Sequence, residues 1–326
     1  MSRALQVLAP GLQTTVQDGG RTGWRHLGVA CAGALDPDAA RLANRLAGND
    51  VDAAVLEIAL RGPTLRFDAP ARIALVGARV EARFDGVAVP CGRPVELPAG
   101  TLHLGAVRGG ARAWLAVSGG IALPAVLGSR STDLRGGFGG AHGRALRAGD
   151  VLPLGDADAF DCAAPRAPAW WVDPRHGDDA DAPILYRPSP HPCAHALAAR
   201  AWRVDPGSNR QGLRLRGEPL RADAADGVSE PVAPGTLQLP PDGQPIVLLA
   251  DAQTVGGYPR LGHVIAAHLP RLAQVLPGRT LRFAPCDAAT AQRLACAARA
   301  RLARIALMLD AHPAASPLFR SLARSP

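Results

Sequence analysis

Short strand-forming segments, separated by turn residues, fill the sequence between residues 54 and 120. They include AVLEIAL at 54–60, RIALVGA at 72–78 and TLHLGAV at 101–107, and Asp85-Gly86 marks a hairpin turn. A Rossmann-type domain would alternate strands with helices, whereas here the strands follow one another closely after a single early helix. The pattern therefore predicts a mainly β fold, either a barrel or a sandwich, with a few helices.

Two helices are predicted outside this stretch. The first has Asp36 as its N-cap, Pro37 at the first helical position and Gly48 after the last turn. The second starts at Asp287 as its cap and runs to about residue 310, with its arginines on a solvated face. These two segments have the clearest local start and stop signals.

A third, shorter helix is predicted near residues 194–200, opened by the turn His191-Pro192-Cys193-Ala194-His195. Three candidate metal ligands lie within these five residues. Their spacing is poor geometry for a single zinc ion, so no metal is expected there.

The length of 326 residues suits two domains. Residues 163–192 are rich in proline and include an acidic run, which is typical of a linker. We therefore expect a β-rich domain with one early helix at 1–162, the linker at 163–192, a barrel domain at 193–286 and a helical tail at 287–326.

The chain contains no lysine, so all 36 of its basic side chains are arginine. This excludes a lysine-bearing P-loop and a Schiff-base nucleophile. It also excludes covalent attachment of biotin, pyridoxal phosphate or lipoate to this chain, so any such group must be carried by another polypeptide. Dispersed arginines suit small anionic substrates, because a guanidinium group binds a carboxylate through two parallel hydrogen bonds.

Charge, hydropathy and cysteine spacing restrict partners and location. The formal charge is +8, but the arginines are interleaved with 28 acidic residues and aromatic residues make up only 4%, so no nucleic-acid surface is expected. No uncharged apolar run approaches the ~20 residues of a membrane helix, and the N-terminus lacks a signal-peptide core. Six cysteines without a C-x-x-C pair fit a reducing compartment. We expect a cytoplasmic protein without a membrane partner.

Residues 229–260 are the leading candidate for a functional site. Segments 236–239 and 246–249 are predicted to be antiparallel strands joined by PPDGQP, and Asp251 follows the second strand. The loop beyond it carries Gln253, Gly256, Gly257 and Tyr258. A rigid strand that ends in a polar loop is a frequent base for a site, but Asp and Gly also dominate ordinary turns. Spacing alone leaves both interpretations open.

A second candidate is the Gly-rich stretch at residues 128–150, which contains Ser129 and Arg130. It has no complete G-x-G-x-x-G in a strand-to-helix context, so no dinucleotide site is expected. Backbone N–H groups in Gly-rich turns bind anions, so the stretch is either a carboxylate or oxyanion cradle or a surface connection.

Four stretches together resemble the allophanate-hydrolase subunit 2, or KipA-like, proteins. They are LAPGLQTTVQDGGRTGWRHLGVACAGALDPDAARLANRLAGN at 8–49, SGGIALPAVLGSRSTDLRGGFGG at 118–140, SNRQGLRL at 208–215 and SEPVAPGTLQLPPDGQPIVLLADAQTVGGYPR at 229–260. The stretches occur in the expected order, and the resemblance as a whole covers nearly the whole chain. The resemblance implies two β-barrel-like domains, at least one of them cyclophilin-like.

The resemblance implies a subunit of an ATP-dependent 5-oxoprolinase, a hydrolase that opens the lactam of 5-oxoproline to give glutamate. The alternatives are a biotin-dependent carboxyltransferase component like that of urea carboxylase, and a non-catalytic regulatory subunit of the KipA type. The implied partners are a KipI-like (subunit 1) protein, which completes the site, and a LamB/YcsF-type subunit. ATP is expected to act at the level of this complex.

Site residues follow from the resemblance as well. The implied catalytic residues are Asp251, Gln253 and Glu230, with Asp251 or Glu230 orienting water or relaying protons. N–H groups around Gly256 and Gly257 would stabilise a developing oxyanion. The implied substrate-binding set is Ser129, Arg130, Asn209, Arg210, Gly256, Gly257 and Tyr258. Within it, Arg130 or Arg210 would hold the substrate carboxylate.

Overall fold

A computed structural model describes most of the chain, in four ranges. The described residues are 3–158, 162–173, 181–221 and 228–311. Strands dominate them and three α-helices are present among them, so the predicted mainly β class is confirmed. No helix in these residues combines the length and apolar character needed to cross a membrane.

The chain divides into two compact units. The first draws on residues 1–20, 37–176 and 301–326, and the second on residues 21–36 and 177–300. The domain boundaries proposed from the sequence stay a prediction. Part of the expected tail, residues 312–326, lies outside the described residues.

Within the described residues, the first unit is built on nine strands. In chain order they are β1 (Ala4–Ala9), β2 (Gln13–Gln17), β3 (Val55–Ala59), β4 (Thr64–Phe67), β5 (Ala71–Phe84), β6 (Val87–Ala88), β7 (Pro94–Leu97), β8 (Gly100–Val117) and β9 (Val151–Pro153). Antiparallel pairing gives the order β2-β3-β8-β4-β1-β9, while β5 pairs with β8, β7 and β6.

This sheet curls around an apolar core. The pairing of β5 with β8 changes register between Gly77 and Arg79 and again between Val80 and Ala82. Such irregularities bend a strand and increase its twist, so the sheet forms a half-barrel. Its core cluster includes Leu56, Ile58, Phe67, Ile73, Leu75 and Leu115.

The hairpin predicted at Asp85-Gly86 is confirmed. It joins β5 to β6, with Phe84 opposite Val87. Both turn residues have positive φ, 43° for Asp85 and 87° for Gly86, which is the backbone required by a two-residue type I′ turn.

The second unit contains a closed barrel and a short ribbon. Its strands are β10 (Ile184–Pro188), β11 (Ala201–Val204), β12 (Gly212–Arg216), β13 (Glu230–Pro231), β14 (Thr236–Gln238), β15 (Ile246–Leu248), β16 (Val255–Gly256), β17 (Arg260–Val264) and β18 (Thr280–Pro285). Seven of them close in the order β10-β17-β14-β15-β12-β11-β18. A parallel pairing of β10 with β18 completes the ring.

The barrel positions the candidate site through three adjacent strands. In the predicted hairpin, which is confirmed, Leu237 of β14 lies opposite Val247 of β15. On its other side, β15 pairs with β12. Beyond β15 the chain forms β16, which pairs with β13 as a two-stranded ribbon outside the barrel, with Glu230 opposite Gly256.

Two of the three predicted helices are confirmed. Helix α1 (Pro37–Ala47) is followed by Gly48 at φ 82°, a left-handed conformation that glycine adopts freely. The short helix α2 (Leu269–Leu272) follows β17, and α3 (Ala288–Ala311) begins after Asp287. Asp287 caps α3, because its Oδ1 accepts a hydrogen bond from the Thr290 N–H at 2.8 Å.

The helix predicted near residues 194–200 is wrong. Only a 3₁₀ turn is present there, at Pro192–Ala194, and turns follow it. The buried Tyr186 hydroxyl donates to the Ala194 carbonyl at 2.5 Å, and Trp202 Nε1 donates to the Leu197 carbonyl at 3.0 Å. Aromatic donors of the barrel core thus bind carbonyls that a helix would use for its own backbone.

Candidate functional site

A cavity of about 380 Å³ opens in the second unit against strands β12, β14 and β15. Residues from the loops before β12 and after β15 complete its lining. Five carboxamide side chains contribute to the wall: Asn209, Gln211, Gln238, Gln244 and Gln253. Neutral groups that can both donate and accept hydrogen bonds therefore dominate the polar part of this surface.

Two of these carboxamides mainly hold the surrounding turns. Asn209 Oδ1 accepts a hydrogen bond from the Gln211 N–H at 2.8 Å. The Gln244 amide bonds to both backbone groups of Gly217, accepting from its N–H at 2.9 Å and donating to its carbonyl at 3.1 Å. Gln244 is thus fixed by the backbone and shapes the rim.

Gln238 and Gln253 bond to each other instead. Gln253 Nε2 donates to Gln238 Oε1 at 3.3 Å. Gln238 is 1% exposed, and within the described structure its own Nε2 has no hydrogen-bond partner. A buried donor without a partner is rare, because such a group loses its water without compensation.

Gly256 makes room for this amide. A Cβ atom added at Gly256 would lie 2.5 Å from Gln238 Nε2, which is closer than two such atoms can approach. The φ angle of Gly256 lies outside the left-handed region, so its backbone does not require glycine. The close approach of the Gln238 amide is therefore the constraint that the structure shows at this position.

Asp251 and Arg210 form a buried ion pair. Arg210 Nε donates to Asp251 Oδ2 at 3.0 Å and Nη2 donates to Oδ1 at 2.9 Å, while Nη2 also donates to the Gly33 carbonyl at 2.6 Å. The two side chains are 2% and 1% exposed, and neither lines the cavity. The fork of Arg210 is thus occupied by Asp251, and the pair connects the segments before β12 and after β15.

Glu230 and Gly256 face each other in the ribbon, outside the cavity wall. The Glu230 carboxylate pairs with Arg260, and the two side chains are about half exposed, at 51% and 46%. Glu230 is therefore a solvent-accessible carboxylate, in contrast to the buried Asp251.

Ser129 and Arg130 belong to the first unit, where Asp18 organises them. The Asp18 carboxylate accepts hydrogen bonds from Ser129 Oγ at 2.6 Å, from Ser131 Oγ at 2.6 Å and from the Arg130 N–H at 2.5 Å. Arg130 Nε donates to the Leu123 carbonyl at 2.7 Å. These contacts build the Gly-rich stretch as an ordered loop.

Of the residues expected at the site, the structure brings Asn209, Gln253 and Tyr258 together on the cavity. The sequence interpretation missed Gln238 and Arg214, which also line it. Gln238 had a signal, since a polar residue between leucines in TLQL interrupts an apolar strand. For Arg214, the alternation in LRLR gave its outward direction but not what it faces.

The charged residues of the cavity differ in whether a carboxylate already pairs with them. Arg216 pairs with Asp205 at 2.7 Å and approaches Asp242 at 3.6 Å. The hydrogen bond from Arg216, together with one from the Gly207 N–H, lowers the pKa of Asp205. Among the described residues, no carboxylate lies within ion-pair distance of Arg214, which is exposed on β12. Nor do three or more His, Cys, Asp or Glu side chains gather there as a metal site.

Residues 27–285 match the family described as carboxyltransferase domain, subdomain A and B. The match covers more than half of the chain, so the chain belongs to this carboxyltransferase-domain family. The family expected from the four sequence stretches is thereby confirmed.

Several named proteins are similar over most of this chain. The C subunit of the 5-oxoprolinase of Escherichia coli (strain K12) is 41% identical over 287 residues, which cover 87% of this chain and 91% of that protein. The crystal structure of TTHA0988 has a TM-score of 0.76 at 37% identity, covering 86% of this chain and 55% of that one. The Kluyveromyces lactis urea carboxylase structure has a TM-score of 0.81 at 30% identity, covering 93% of this chain and 29% of that one.

Proposed function

We propose that the chain is the C subunit of an ATP-dependent 5-oxoprolinase, which hydrolyses the lactam of 5-oxoproline to glutamate. The observation that carries the proposal is the similarity to the Escherichia coli 5-oxoprolinase protein over 91% of that protein's length. The urea carboxylase is matched over only 29% of its chain. The proposed partners are a KipI-like subunit and a LamB/YcsF-type subunit, and ATP is consumed by the complex. The proposed location is the cytoplasm, where the six cysteines stay as the free thiols seen in the structure.

The cavity in the second unit is the proposed substrate site. 5-Oxoproline is a five-membered lactam with one carboxylate, so it needs a cationic fork and groups that bond to an amide. Arg214 is the proposed fork, because Arg210 is bonded to Asp251 and Arg130 to the Leu123 carbonyl. The carboxamides of the wall are the proposed partners of the lactam.

Glu230 is the proposed group that orients the attacking water, because its ribbon partner Gly256 lies two residues before Tyr258, which lines the cavity. Tyr258 is proposed to close the cavity wall over the substrate, because it lines the cavity and is 47% exposed. Asp251 is proposed to act as a positioning residue that fixes the loop carrying Gln253. The partner protein is proposed to supply the remaining wall.

The test is reconstitution of the complex from purified subunits with 5-oxoproline and ATP, followed by an assay of glutamate. Glutamate should form only when this chain, its partners and ATP are all present. Absence of glutamate from the complete mixture would contradict the proposal.

Arg214→Lys should raise the KM for 5-oxoproline about tenfold with little change in kcat, because a point charge cannot replace the planar fork. The matched control is Arg282→Lys, which changes an exposed arginine on β18 outside the cavity and should leave both constants unchanged. Equal KM values for the two variants would remove Arg214 from the carboxylate site.

A carboxyltransferase role is the second candidate, favoured by the similarity to urea carboxylase. Because the chain has no lysine, the biotin would be carried by a separate protein, and the cavity would receive its ring. Binding of a biotinylated carrier protein, together with absence of oxoprolinase activity, would favour this role. A purely regulatory subunit would show neither oxoprolinase activity nor binding of the carrier protein.

A further inference from the structure

The hydrogen-bonded pair Gln238–Gln253 joins a buried amide to a half-buried one. The bond uses one N–H of Gln253 and the oxygen of Gln238, at 3.3 Å. Gln238 Nε2 is buried and has no partner in the described structure, although Gln238 lines the cavity. A built-in donor of this kind is expected to bond to whatever fills the cavity, because buried donors are nearly always paired.

The pair offers a donor and an acceptor together. Gln238 retains its N–H group, and the oxygen of Gln253, which also lines the cavity, remains free to accept. Rotation of both amides by a half turn would exchange the two residues' roles, but the pair would still keep one donor end and one acceptor end. The recognition property therefore belongs to the pair rather than to one residue.

This arrangement matches a ring amide. The amide of a small lactam or cyclic urea is held cis, so its N–H and C=O lie on the same side and can bond to one donor and one acceptor at once. A chain amide is trans and directs them to opposite sides. A carboxylate offers only acceptors.

We infer that Gln238 and Gln253 together form the subsite that recognises a cis ring amide, and so determine which ring the cavity accepts. This inference rests on the proposed function in that the lactam of 5-oxoproline is the expected occupant. The carbonyl of the ring accepts from the donor end of the pair, and the ring N–H donates to the acceptor end. Gly256 keeps the subsite open, because a side chain there would displace the Gln238 amide.

The first experiment compares Gln238→Met and Gln253→Met in the complete complex, using 5-oxoproline and its lactone analogue, in which oxygen replaces the ring N–H. Each variant should raise the KM for 5-oxoproline about tenfold, as expected for loss of a hydrogen bond in a buried site. One of them should also lose the preference of the wild type for lactam over lactone, and that variant identifies the acceptor. Unchanged KM values and preference in both variants would overturn the inference.

The second experiment leaves both glutamines in place. Gly256→Ala should displace the Gln238 amide and raise the KM for 5-oxoproline about tenfold, with the unfolding temperature unchanged because the clash is with the end of a flexible side chain. Gly19→Ala is the matched control, since its Cβ would meet only Asp52 Oδ1 at 3.7 Å. A wild-type KM in Gly256→Ala would contradict the role of the pair.

A third measurement separates this inference from the proposed function. If the wild-type complex forms no glutamate, the proposed function fails, and recognition is then read from binding of 2-pyrrolidinone and 2-imidazolidinone by ligand-observed NMR. Binding that is lost in Gln238→Met supports the subsite. Absence of binding to the wild type, or equal binding to the variant, overturns it.

Discussion

Arg210 and Asp251 show how burial changes the role of a charged residue. Both side chains are at most 2% exposed and are joined by two hydrogen bonds of 3.0 and 2.9 Å. Removing one partner from such a pair leaves the other charge buried without compensation. Asp251→Asn should therefore lower the free energy of unfolding by about 3 kcal/mol, as measured by urea denaturation.

Asp52→Asn is the control for this experiment. Asp52 pairs with Arg41 at 3.3 Å, but both side chains are more than half exposed, at 60% and 53%. Loss of this pair should cost less than about 1 kcal/mol. An Asp251→Asn variant that unfolds like the wild type, yet inactivates the complex, would instead place Asp251 in the chemistry.

Asp150 gives a pH-dependent contribution to stability. Both Nη atoms of Arg144 donate to its carboxylate at 2.8 Å, and these hydrogen bonds lower its pKa from 3.8 to about 2. Because the folded-state pKa is the lower one, the stabilisation is present above about pH 4 and is lost as the pH falls towards 2. Asp150→Asn should be less stable than the wild type at pH 7, and the difference should shrink over this window in denaturation curves. A pH-independent difference would contradict the assignment.

Single residues of the site were predictable only where the residue type and its place in the sequence are typical of a functional loop. Gln253 and Tyr258 lie in a polar, Gly-containing loop after a buried strand, which is visible in the sequence. The unpartnered amide of Gln238 was not, because it depends on which side chains meet across the barrel. Likewise, nothing in the sequence shows that the guanidinium group of Arg210 is already bonded to Asp251.

The Gly-rich stretch at 128–150 is the element in which backbone geometry matters most. Gly143 has φ 68°, and a Cβ there would lie 2.0 Å from the Gly137 carbonyl oxygen. Gly143→Ala should therefore lower the free energy of unfolding by more than about 2 kcal/mol. Gly128→Ala, with φ 80° but open space around the position, should cost only about 1 kcal/mol. Equal thermal unfolding of the two variants would refute the steric explanation.

Elements with local signals were predictable, and those decided by distant partners were not. Helix α1 and the hairpins at 85–86 and 236–249 carry their own caps and turns. The segment 194–200 has helix-forming residues, but Tyr186 and Trp202 bind its carbonyls. The order of strands in the barrel likewise depends on pairings between distant segments.

At the scale of the whole molecule, the absence of lysine makes the α-amine the one primary amine that the sequence offers. Treatment of this chain with an N-hydroxysuccinimide ester before reconstitution should therefore add at most one label per chain, as counted by mass spectrometry. The complex reconstituted from the treated chain should keep its activity. Phenylglyoxal, which reacts with guanidinium groups, should inactivate it, and 5-oxoproline should slow this loss if Arg214 binds the substrate. Equal inactivation with and without 5-oxoproline would count against that site.

Closure of the barrel by β10 and β18 has a consequence for biosynthesis. Ile184 of β10 pairs with Phe283 of β18. Strand β10 therefore leaves the ribosome roughly one hundred residues before β18 has been synthesised. Strand β18 also pairs with β11, so until it is made two strand edges stay open to other chains. The nascent second unit should thus be at its most vulnerable to misassociation just before residue 280 emerges, and a ribosome pausing there would prolong the risk.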